Sequence, residues 1–291
     1  MMSLSIRTAA LGLLGALTLA SCSTTDASQP DPTCNGREEL CDRRFDQVAY
    51  PMTHNAMSND EVDPPWILPN QHFGMTRQLN DGIRGLMLDT YYEDGELLLC
   101  HELCIAGSQP LVEGLGELTA FLEANPNEVV SIILESYITH AQTEEAFDDS
   151  GLLEFVYAHE VGEPWPTLGE LIEADTRLVV FQGEPEDADF PWLMFFDDHA
   201  WETPYAFSTP EDFVCDANRG DPANPIFLLN HFLTAELGGR PEFAEMVNYN
   251  PLLIERAQQC EEEGEALPNF VALDFYDIGD LFDVVDALNG F

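Results

Sequence analysis

Six apolar runs of strand length recur along the chain, and each one passes directly into polar residues. The runs are continuous in Val, Ile, Leu and Phe, a pattern typical of strands buried on both faces of a parallel sheet. Amphipathic stretches such as 111–124 and 167–174 lie between them and predict helices. With no internal repeat, the pattern predicts an α/β fold, a single TIM-type (β/α)8 barrel of about 250 residues. The runs are Val48–Met52, Ile83–Leu88, Val129–Leu134, Leu178–Phe181, Ile226–Leu229 and Phe270–Leu273.

The residues that follow these runs are of types that act in catalysis or bind metals. Because the carboxyl ends of barrel strands meet at one face, where barrel enzymes build their active sites, we expect these side chains to form one site. The alternative is that strands end in polar residues because loops contact water. The residues are His54 and Asn55, Asp89, Glu135, Gln182, Asn230 and His231, and Asp274.

The charge of the chain excludes some classes of partner. It has 54 acidic residues against 10 basic ones, all of them Arg, and a formal net charge of −44 at pH 7. Such acidity argues against nucleic-acid binding, which needs a basic footprint. It also argues against docking on anionic membranes through a polybasic patch. No protein partner is evident from the sequence.

The first 21 residues are typical of an export signal. Arg7 precedes an apolar stretch, 9–20, that is too short to span a bilayer. The stretch ends in Leu19-Ala20-Ser21-Cys22, which resembles a bacterial lipobox, so we expect export and a lipid anchor at Cys22 on a bacterial cell envelope. An ordinary cleaved signal with an incidental Cys is the alternative. The expected divisions are a signal peptide over 1–21, a flexible tether over 22–33 and a single catalytic barrel domain over 34–291.

An oxidising compartment predicts disulfides for the six cysteines that remain after Cys22. Six cysteines allow fifteen connectivities, so nearest-neighbour pairing is one hypothesis among them. A zinc site that includes the Cys100-His101-x-x-Cys104 segment is an alternative, although no second Cys/His pair with matching spacing accompanies it. The nearest-neighbour pairs are Cys34–Cys41, Cys100–Cys104 and Cys215–Cys260.

Several segments resemble the X domain of phosphatidylinositol-specific phospholipase C. Residues 50–58, with Thr53-His54-Asn55, look like the segment that holds the first histidine of that family. The run from Asn70-Gln71 through 78–89 continues the match, and 97–101 supplies a second histidine. The resemblance runs from about residue 46 to the C-terminus and implies a TIM barrel. It is closest to the single-domain proteins of plants and bacteria in which cysteines flank the second histidine. Further matches lie at 121–130, 165–168, 177–181, 218–220, 228–232 and 272–276.

The resemblance implies cleavage of a phosphatidylinositol-like phospholipid at a membrane surface. In that reaction the 2-hydroxyl of myo-inositol attacks the 1-phosphodiester, diacylglycerol leaves and a 1,2-cyclic phosphate forms. His54 is assigned to the attacking side, as base or phosphate ligand, and His101 is assigned as the general acid for the glycerol oxygen. Imidazole suits both tasks because it titrates near neutral pH.

The resemblance also implies a calcium ion, because metal-dependent members of the family carry acidic residues on the second strand. Asn55, Asp89 and Glu135 form a set of hard oxygen donors suited to Ca²⁺. Met87 stands where metal-dependent relatives often have a second acid, and strand-end carboxylates without a metal are the alternative.

Contacts to the head group are expected from a few basic, aromatic and polar residues. Trp66 and Ile67 could enter a lipid interface, with Trp66 in the core as the alternative. Two other functions stay open, a phosphodiesterase for a glycerophosphodiester or sphingolipid head group, and a catalytically silent surface protein that binds lipids or sugars. The head-group candidates are Arg219, Tyr205, Asn230 and Asp274, with Tyr276 and Trp201 as further rings that could stack on a sugar.

Overall fold

The computed structural model describes residues 33–62, 65–185, 187–234 and 238–291, and in it parallel strands curl around an apolar interior. The expected signal peptide, Cys22 and nearly all of the tether fall in residues 1–32, outside the described part. The strands are β1 (Tyr50–Thr53), β2 (Gly85–Glu93), β3 (Glu96–Cys100), β4 (Ser108–Pro110), β5 (Val130–Ser136), β6 (Val156–Tyr157), β7 (Leu178–Gln182), β8 (Leu193–Phe195), β9 (Ala200–Glu202), β10 (Arg219–Gly220), β11 (Ile226–Asn230) and β12 (Pro268–Leu273). The helices are α1 (Met75–Asp81), α2 (Leu111–Ala124), α3 (His140–Asp149), α4 (Leu168–Glu173), α5 (Phe196–His199), α6 (Pro241–Val247), α7 (Leu252–Gly264) and α8 (Leu281–Leu288).

The sheet has the order β10-β9-β11-β12-β1-β2-β5-β7, and β6 and β8 both pair with β7. The α/β class is confirmed, but the prediction of a closed (β/α)8 barrel is wrong, because β8 and β9 do not pair in the described structure. The reason is local. Only the four residues of α5 separate β8 from β9, whereas neighbouring parallel strands need a crossover of about a dozen residues or more.

Side chains alternate along the barrel strands between an interior and an outer layer. On β12, Phe270 and Ala272 belong to the interior cluster, whereas Val271 and Leu273 pack in the outer cluster with the helices. Both faces of each strand are therefore apolar, which explains why the sequence shows continuous apolar runs rather than alternation.

Aromatic rings fill the amino-terminal end of the barrel. The ring of Phe45, in the turn before β1, lies 5.1 Å from that of Tyr50, 4.9 Å from that of Trp165 and 6.2 Å from that of Phe270, measured between centroids. This packing leaves the carboxyl-terminal end of the strands as the open end.

The second barrel strand is longer than the apolar run that predicts it. β2 turns at Asp94-Gly95, where both residues have positive φ, and returns as the antiparallel β3. Asp89 therefore lies within a strand rather than after it. The returning β3 brings His101, which follows it directly, back to the rim of the barrel.

The two amphipathic stretches are confirmed as helices. α2 coincides with the predicted range, and α4 begins after Thr167, whose hydroxyl accepts the backbone N–H of Glu170 at 3.2 Å. The carboxylate of Glu170 in turn accepts the backbone N–H of Thr167 at 2.8 Å. This capping box satisfies two otherwise unpaired donors at the start of the helix.

The three nearest-neighbour disulfides are present in the structure. They include Cys100–Cys104, so these two sulfurs are not available as thiolates for zinc, and that alternative is excluded. No described helix has the length and apolar character needed to cross a membrane. The other two disulfides are Cys34–Cys41 and Cys215–Cys260.

Candidate active site

A cavity of about 540 Å³ opens at the carboxyl-terminal end of the parallel strands, with His54 and His101 both in its wall. The wall is strongly acidic, with six carboxylates and one guanidinium among the described residues that line it. The acidic residues are Asp89, Glu102, Glu135, Glu184, Glu202 and Asp274, and the basic residue is Arg219.

His54 is fixed at the end of β1 by its neighbours on the sheet. Its backbone N–H donates to the carbonyl of Leu273 at 3.0 Å, and the amide of Gln71 donates to the His54 carbonyl at 2.8 Å. On the ring, Nδ1 lies 2.8 Å from Oδ1 of Asp274. Because a carboxylate only accepts, Nδ1 carries the hydrogen of the neutral ring, and Nε2 is left with a free lone pair.

Two further groups hold this histidine and its carboxylate in place. The His54 ring stacks on Phe232 at a centroid distance of 3.9 Å and an interplanar angle of 5°. The side-chain amide of Asn70 donates to Oδ1 of Asp274 at 3.0 Å, and that of Asn248 donates to the Asp274 backbone carbonyl at 2.9 Å. The imidazole is thus oriented before any substrate binds.

His101 differs from His54 in having no fixed ring. It is half-buried in the loop after β3, and among the described residues no hydrogen bond to its ring nitrogens is found. Burial, and then repulsion from the His54 ring when that ring is protonated, lower the pKa of His101 below the ordinary histidine value, while Glu102, Glu135 and Asp274 act in the opposite direction. Both imidazoles line the same cavity.

Asp89 and Glu135 are register partners on the adjacent parallel strands β2 and β5. The Asp89 side chain is 5% exposed, and no described hydrogen-bond donor contacts its carboxylate. Burial, followed by the charges of Glu135 and Glu102, raises the pKa of Asp89 well above its ordinary range. A buried carboxylate beside a second one, without a donor, lacks a positive counter-charge.

This arrangement fits a calcium ion. The side-chain nitrogen of Asn55 donates to Asn70 at 3.4 Å, which leaves the amide oxygen of Asn55 for another partner. Two carboxylates and an amide oxygen are ligands that Ca²⁺ prefers. No cluster of three or more His, Cys, Asp or Glu residues suited to a metal occurs in the described ranges, and Met87 lines the wall as an apolar residue. The remaining positions of a calcium shell would therefore belong to water or substrate.

Tyr137 orients the second of these carboxylates. Its hydroxyl donates to Glu135, and this bond, with burial, raises the pKa of Tyr137. The Tyr137 ring stacks on that of Tyr91 at 4.5 Å. Both rings line the cavity beside Glu135.

On the opposite side of the cavity, Glu202 ends β9 and holds Arg219. Arg219 Nε lies 3.2 Å from Glu202 Oε1, and the amides of Asn218 and Asn230 donate to the same carboxylate, each at 3.3 Å. Glu202 is 1% exposed, and burial raises its pKa against the opposing effect of Arg219 and the two amides. The guanidinium also lies over the ring of Phe196 at 4.5 Å.

The structure separates the predicted head-group residues. Arg219, Tyr205 and Asp274 line the cavity. Asn230 is buried behind Glu202 and reaches the wall only through that carboxylate. Trp201 is buried against Phe227, with ring centroids 3.8 Å apart, and Tyr276 donates to Asp81 at 2.7 Å, so neither faces the cavity.

Of the two alternatives for Trp66, a lipid interface and the core, the structure shows the core. Trp66 is buried, and its ring packs so closely under Gly107 that a Cβ there would lie 2.4 Å from it. A large apolar ring gains more by packing under a glycine than by contact with water. The next residue, Ile67, is exposed.

The wall residues that were absent from the predicted site include Phe232, Asn70, Tyr137 and Glu202, which hold or orient its functional groups. Phe232 and Asn70 lie in segments that carry the family resemblance, so their place in the motifs was the available signal. Glu202 ends a strand of three residues, too short to form an apolar run. No sequence pattern marks Tyr137.

The comparison with protein families decides the identity of the fold. A family model described as PI-PLC X 1 matches residues 40–289. The chain belongs to the PI-PLC X family. Among relatives of this PI-PLC X chain, the PI-PLC X domain-containing protein 1 of Arthroderma benhamiae is 30% identical, over 95% of this chain and 96% of that protein.

Two other relatives are longer than this PI-PLC X chain. An uncharacterized secreted protein of Arthroderma benhamiae is 29% identical, over 91% of this chain and 67% of that protein. A PI-PLC X domain-containing protein of Arabidopsis thaliana is 28% identical, over 92% of this chain and 66% of that protein. The chain therefore spans about two thirds of the length of these two relatives.

Solved structures share the fold. Phosphatidylinositol-specific phospholipase C of Staphylococcus aureus superposes with a TM-score of 0.58 at 14% identity, covering 86% of this chain and 94% of that one. A mutant form of the same enzyme gives a TM-score of 0.57 at 13% identity, covering 85% and 94%. At this level of identity the similarity is one of fold.

Proposed function

We propose that the protein is a phosphodiesterase of the phospholipase C type, which cleaves a phosphatidylinositol-like lipid to diacylglycerol and a cyclic inositol phosphate. One observation carries the proposal: His54 and His101, which come from different strands, share the wall of one cavity, and Asp274 binds Nδ1 of His54. A base and an acid on one cavity are what an intramolecular phosphoryl transfer requires. The family and the shared fold agree with this chemistry.

His54 is the base of the proposed first step. With Nδ1–H donated to Asp274, Nε2 accepts the proton of the inositol 2-hydroxyl as that oxygen forms a bond to phosphorus. Asp274 then stabilises the imidazolium that results, as the buried carboxylate of a Ser-His-Asp triad does.

His101 is the acid of the same step. As the bond between phosphorus and the glycerol oxygen breaks, His101 donates its proton to that oxygen and diacylglycerol leaves. Its lowered pKa makes the imidazolium a stronger acid than an ordinary histidine. The product retains phosphorus in a five-membered ring between the 1- and 2-oxygens of inositol.

Asn55, Asp89 and Glu135 are proposed to hold Ca²⁺. When bound, the ion supplies positive charge next to the phosphodiester, which the acidic wall otherwise lacks. Tyr137 keeps Glu135 at the cavity wall, and Arg219 supplies the guanidinium that faces the head group.

The protein is proposed to act outside the cytosol on a phospholipid surface. The name of the secreted fungal relative supports export, and the three disulfides suit an oxidising compartment. Lipid anchoring at Cys22 remains a prediction from the lipobox-like segment.

The test is turnover of phosphatidylinositol with a radiolabelled head group, with and without EGTA. If cyclic inositol phosphate is released and EGTA abolishes its release, both the reaction and the role of calcium are supported. If release continues in EGTA, the proposed role of calcium is refuted. Labelled phosphatidylcholine, sphingomyelin and glycerophosphoinositol are assayed in parallel. If only another head group is released, that lipid is the substrate instead of phosphatidylinositol. If no assay shows turnover, the proposal that the protein is an enzyme is refuted.

A further inference from the structure

Arg256, on helix α7, is a buried charge that the proposed reaction does not use. Its side chain is 4% exposed, and among the described residues it has no carboxylate as an ion-pair partner. Burial lowers its pKa to about 9. A buried charge without a counter-charge costs free energy of folding unless hydrogen bonds compensate for it. The acceptors of its guanidinium therefore decide what this residue does.

Nη1 of Arg256 joins two consecutive residues at the end of β11. It donates to the backbone carbonyl of Asn230 at 2.7 Å and to Nδ1 of His231 at 3.1 Å. Because a guanidinium only donates, Nδ1 of His231 is an acceptor and the ring hydrogen is on Nε2. That nitrogen donates to the carbonyl of Val247, on α6, at 2.9 Å. Burial, and then the charge of Arg256, lower the pKa of His231 to about 3, so the ring keeps this arrangement at neutral pH.

His231 points outward to α6 and α7, whereas the residues before and after it point inward. Side chains of successive residues in an extended chain lie on opposite sides, which explains this alternation. Phe232 belongs to the interior cluster and stacks on the ring of His54. The side-chain amide of Asn230 binds the Glu202 carboxylate. The segment that Arg256 holds from behind thus supports groups on two sides of the cavity.

Arg256 is itself held by the loop that precedes β10. Its Nη2 donates to the carbonyl of Val214 at 3.4 Å, and its guanidinium lies over the ring of Phe213 at 4.0 Å. The next residue of the loop, Cys215, forms a disulfide with Cys260, which lies one helical turn after Arg256 on α7. Helix α7 is thus tied to this loop at two neighbouring points. The guanidinium is therefore a fixed support for the end of β11.

We propose that Arg256 and His231 are positioning residues of the candidate active site, which fix the end of β11 from behind the cavity wall. Phe232 is thereby kept stacked on the ring of His54. The consequence for catalysis rests on the proposed function, in which His54 is the base. A misplacement of about 1 Å at a catalytic group can lower the rate about a hundredfold, even when its cause lies far from the reacting atoms.

Arg177 offers a matched control for Arg256. It is 3% exposed, and its guanidinium also donates to backbone carbonyls, those of Leu122 and Asn125, each at 3.0 Å. Its ion-pair partner, Asp175, is exposed. Arg177 directly precedes β7, at the end of the strands opposite to the cavity. Arg177→Met therefore removes a buried guanidinium of the same kind without contact to the wall, and both Arg→Met variants are compared at a temperature where both are folded.

The test is the ring NMR signal of His54, assigned with a His54→Asn sample, and it needs no turnover. All samples are measured at a pH where this imidazole is neutral, because protonation also moves its signal downfield. The ring current of Phe232 shields the stacked imidazole. In Arg256→Met the signal should move downfield, toward its position in Phe232→Leu, whereas in Arg177→Met it should match the wild type. An unchanged signal in Arg256→Met, or equal shifts in the two arginine variants, would overturn the proposal. If Arg256→Met does not fold, Arg256→Gln, which keeps an amide donor, is measured instead.

Where turnover is measurable, Arg256→Met should lower kcat at least about tenfold, and Arg177→Met should retain the wild-type kcat. His231→Leu should cause a similar loss, and Arg256→Met/His231→Leu should lose no more than the worse single variant, because both residues act on one segment. Additive losses would refute the pair, and an unchanged kcat despite a shifted His54 signal would refute its role in catalysis. If the wild type turns over no substrate, the proposed function fails, and the His54 signal still decides whether Arg256 positions that ring.

Discussion

The Nδ1 atom of His54 lies 2.8 Å from Oδ1 of Asp274, although the two residues are 220 positions apart in the sequence. They meet because β1 and β12 are neighbouring parallel strands, with Thr53 in register with Leu273. Each side chain follows its strand by one residue. The pair therefore follows from the strand order rather than from any local motif.

Asp274→Asn should reduce kcat at least about a hundredfold. The side-chain amide of Asn can donate a hydrogen bond to Nδ1 of His54, which favours the tautomer that carries its proton on Nε2. Nε2 is the atom that must accept the substrate proton, so His54 could no longer act as the base. KM should change little. Steady-state kinetics on phosphatidylinositol measure both constants.

The chain offers a matched control for this substitution. Asp277 binds Nδ1 of His72 at 2.9 Å, the same kind of pair outside the cavity. Asp277→Asn should retain the wild-type kcat. Equal losses in the two variants would mean that the effect is one of folding rather than of tautomer.

The sequence contained enough to predict that His54 and Asp274 converge. Both follow apolar runs, and the carboxyl ends of parallel strands meet at one face. It also predicted Asp89 and Glu135 together, and the structure adds that they are register partners. The prediction held for these four residues because strand burial on both faces leaves a strong pattern. It was wrong for Gln182 and His231, which follow their runs in the same way but are buried and do not line the cavity.

The parts that the sequence did not reveal lie where elements are short or pair through tertiary contacts. β8 and β9 have three residues each, so the opening of the barrel and the position of Glu202 had no periodic signal. The burial of Trp66 depends on a close approach to Gly107, 41 positions along the chain. Such contacts are set by packing and not by local pattern.

His101→Ala should lower the rate on phosphatidylinositol by at least about a hundredfold, because the glycerol oxygen would leave without a proton. A nitrophenolate leaving group departs without a proton, so His101→Ala should lower the rate on a nitrophenyl substrate by less than about tenfold. Rates on the two substrates are compared for the wild type, His101→Ala and His72→Ala. Equal losses on both substrates in His101→Ala would contradict the role of acid.

The pH profile should reflect the surroundings of His101. The acid must be protonated, so kcat/KM falls as the pH rises through the pKa of His101, which burial and His54 hold below the ordinary histidine value. The Glu102 carboxylate raises this pKa, and Glu102→Gln should therefore move the alkaline limb to lower pH. Glu184→Gln removes a wall carboxylate that does not act on His101. A limb that shifts equally in both variants, or toward higher pH, would refute the assignment.

Asp89→Asn should stabilise the metal-free protein. The unfolded chain ionises Asp89 near the ordinary value of 3.8, whereas the folded chain does so only at higher pH. Ionised Asp89 therefore opposes folding, and its cost grows from about pH 4 until the raised pKa is passed. In EDTA at pH 7.5 the variant should have a higher Tm than the wild type, and the difference should vanish near pH 4.

With Ca²⁺ present, the wild type should have a higher Tm than Asp89→Asn. At 100 times its Kd, a ligand that binds only the folded state adds about 2.7 kcal/mol to the free energy of unfolding. Ca²⁺ should raise the Tm of the wild type and of Asp94→Asn, an exposed carboxylate on the β2–β3 turn, but not that of Asp89→Asn. If the Tm of the wild type does not change on addition of Ca²⁺, Asp89 is not part of a metal site, whatever the kinetics show.

Arg219 has a structural and a binding role that substitution can separate. Arg219→Met removes the cation beside buried Glu202 and should cost roughly 1–3 kcal/mol of stability, because a desolvated carboxylate loses its charged partner. It should also raise KM at least about tenfold if the guanidinium contacts the head group. In Arg219→Met/Glu202→Gln the buried charge is gone, so urea unfolding should show most of the stability restored while KM stays high. Recovery of KM together with stability would show that Arg219 serves only to neutralise Glu202.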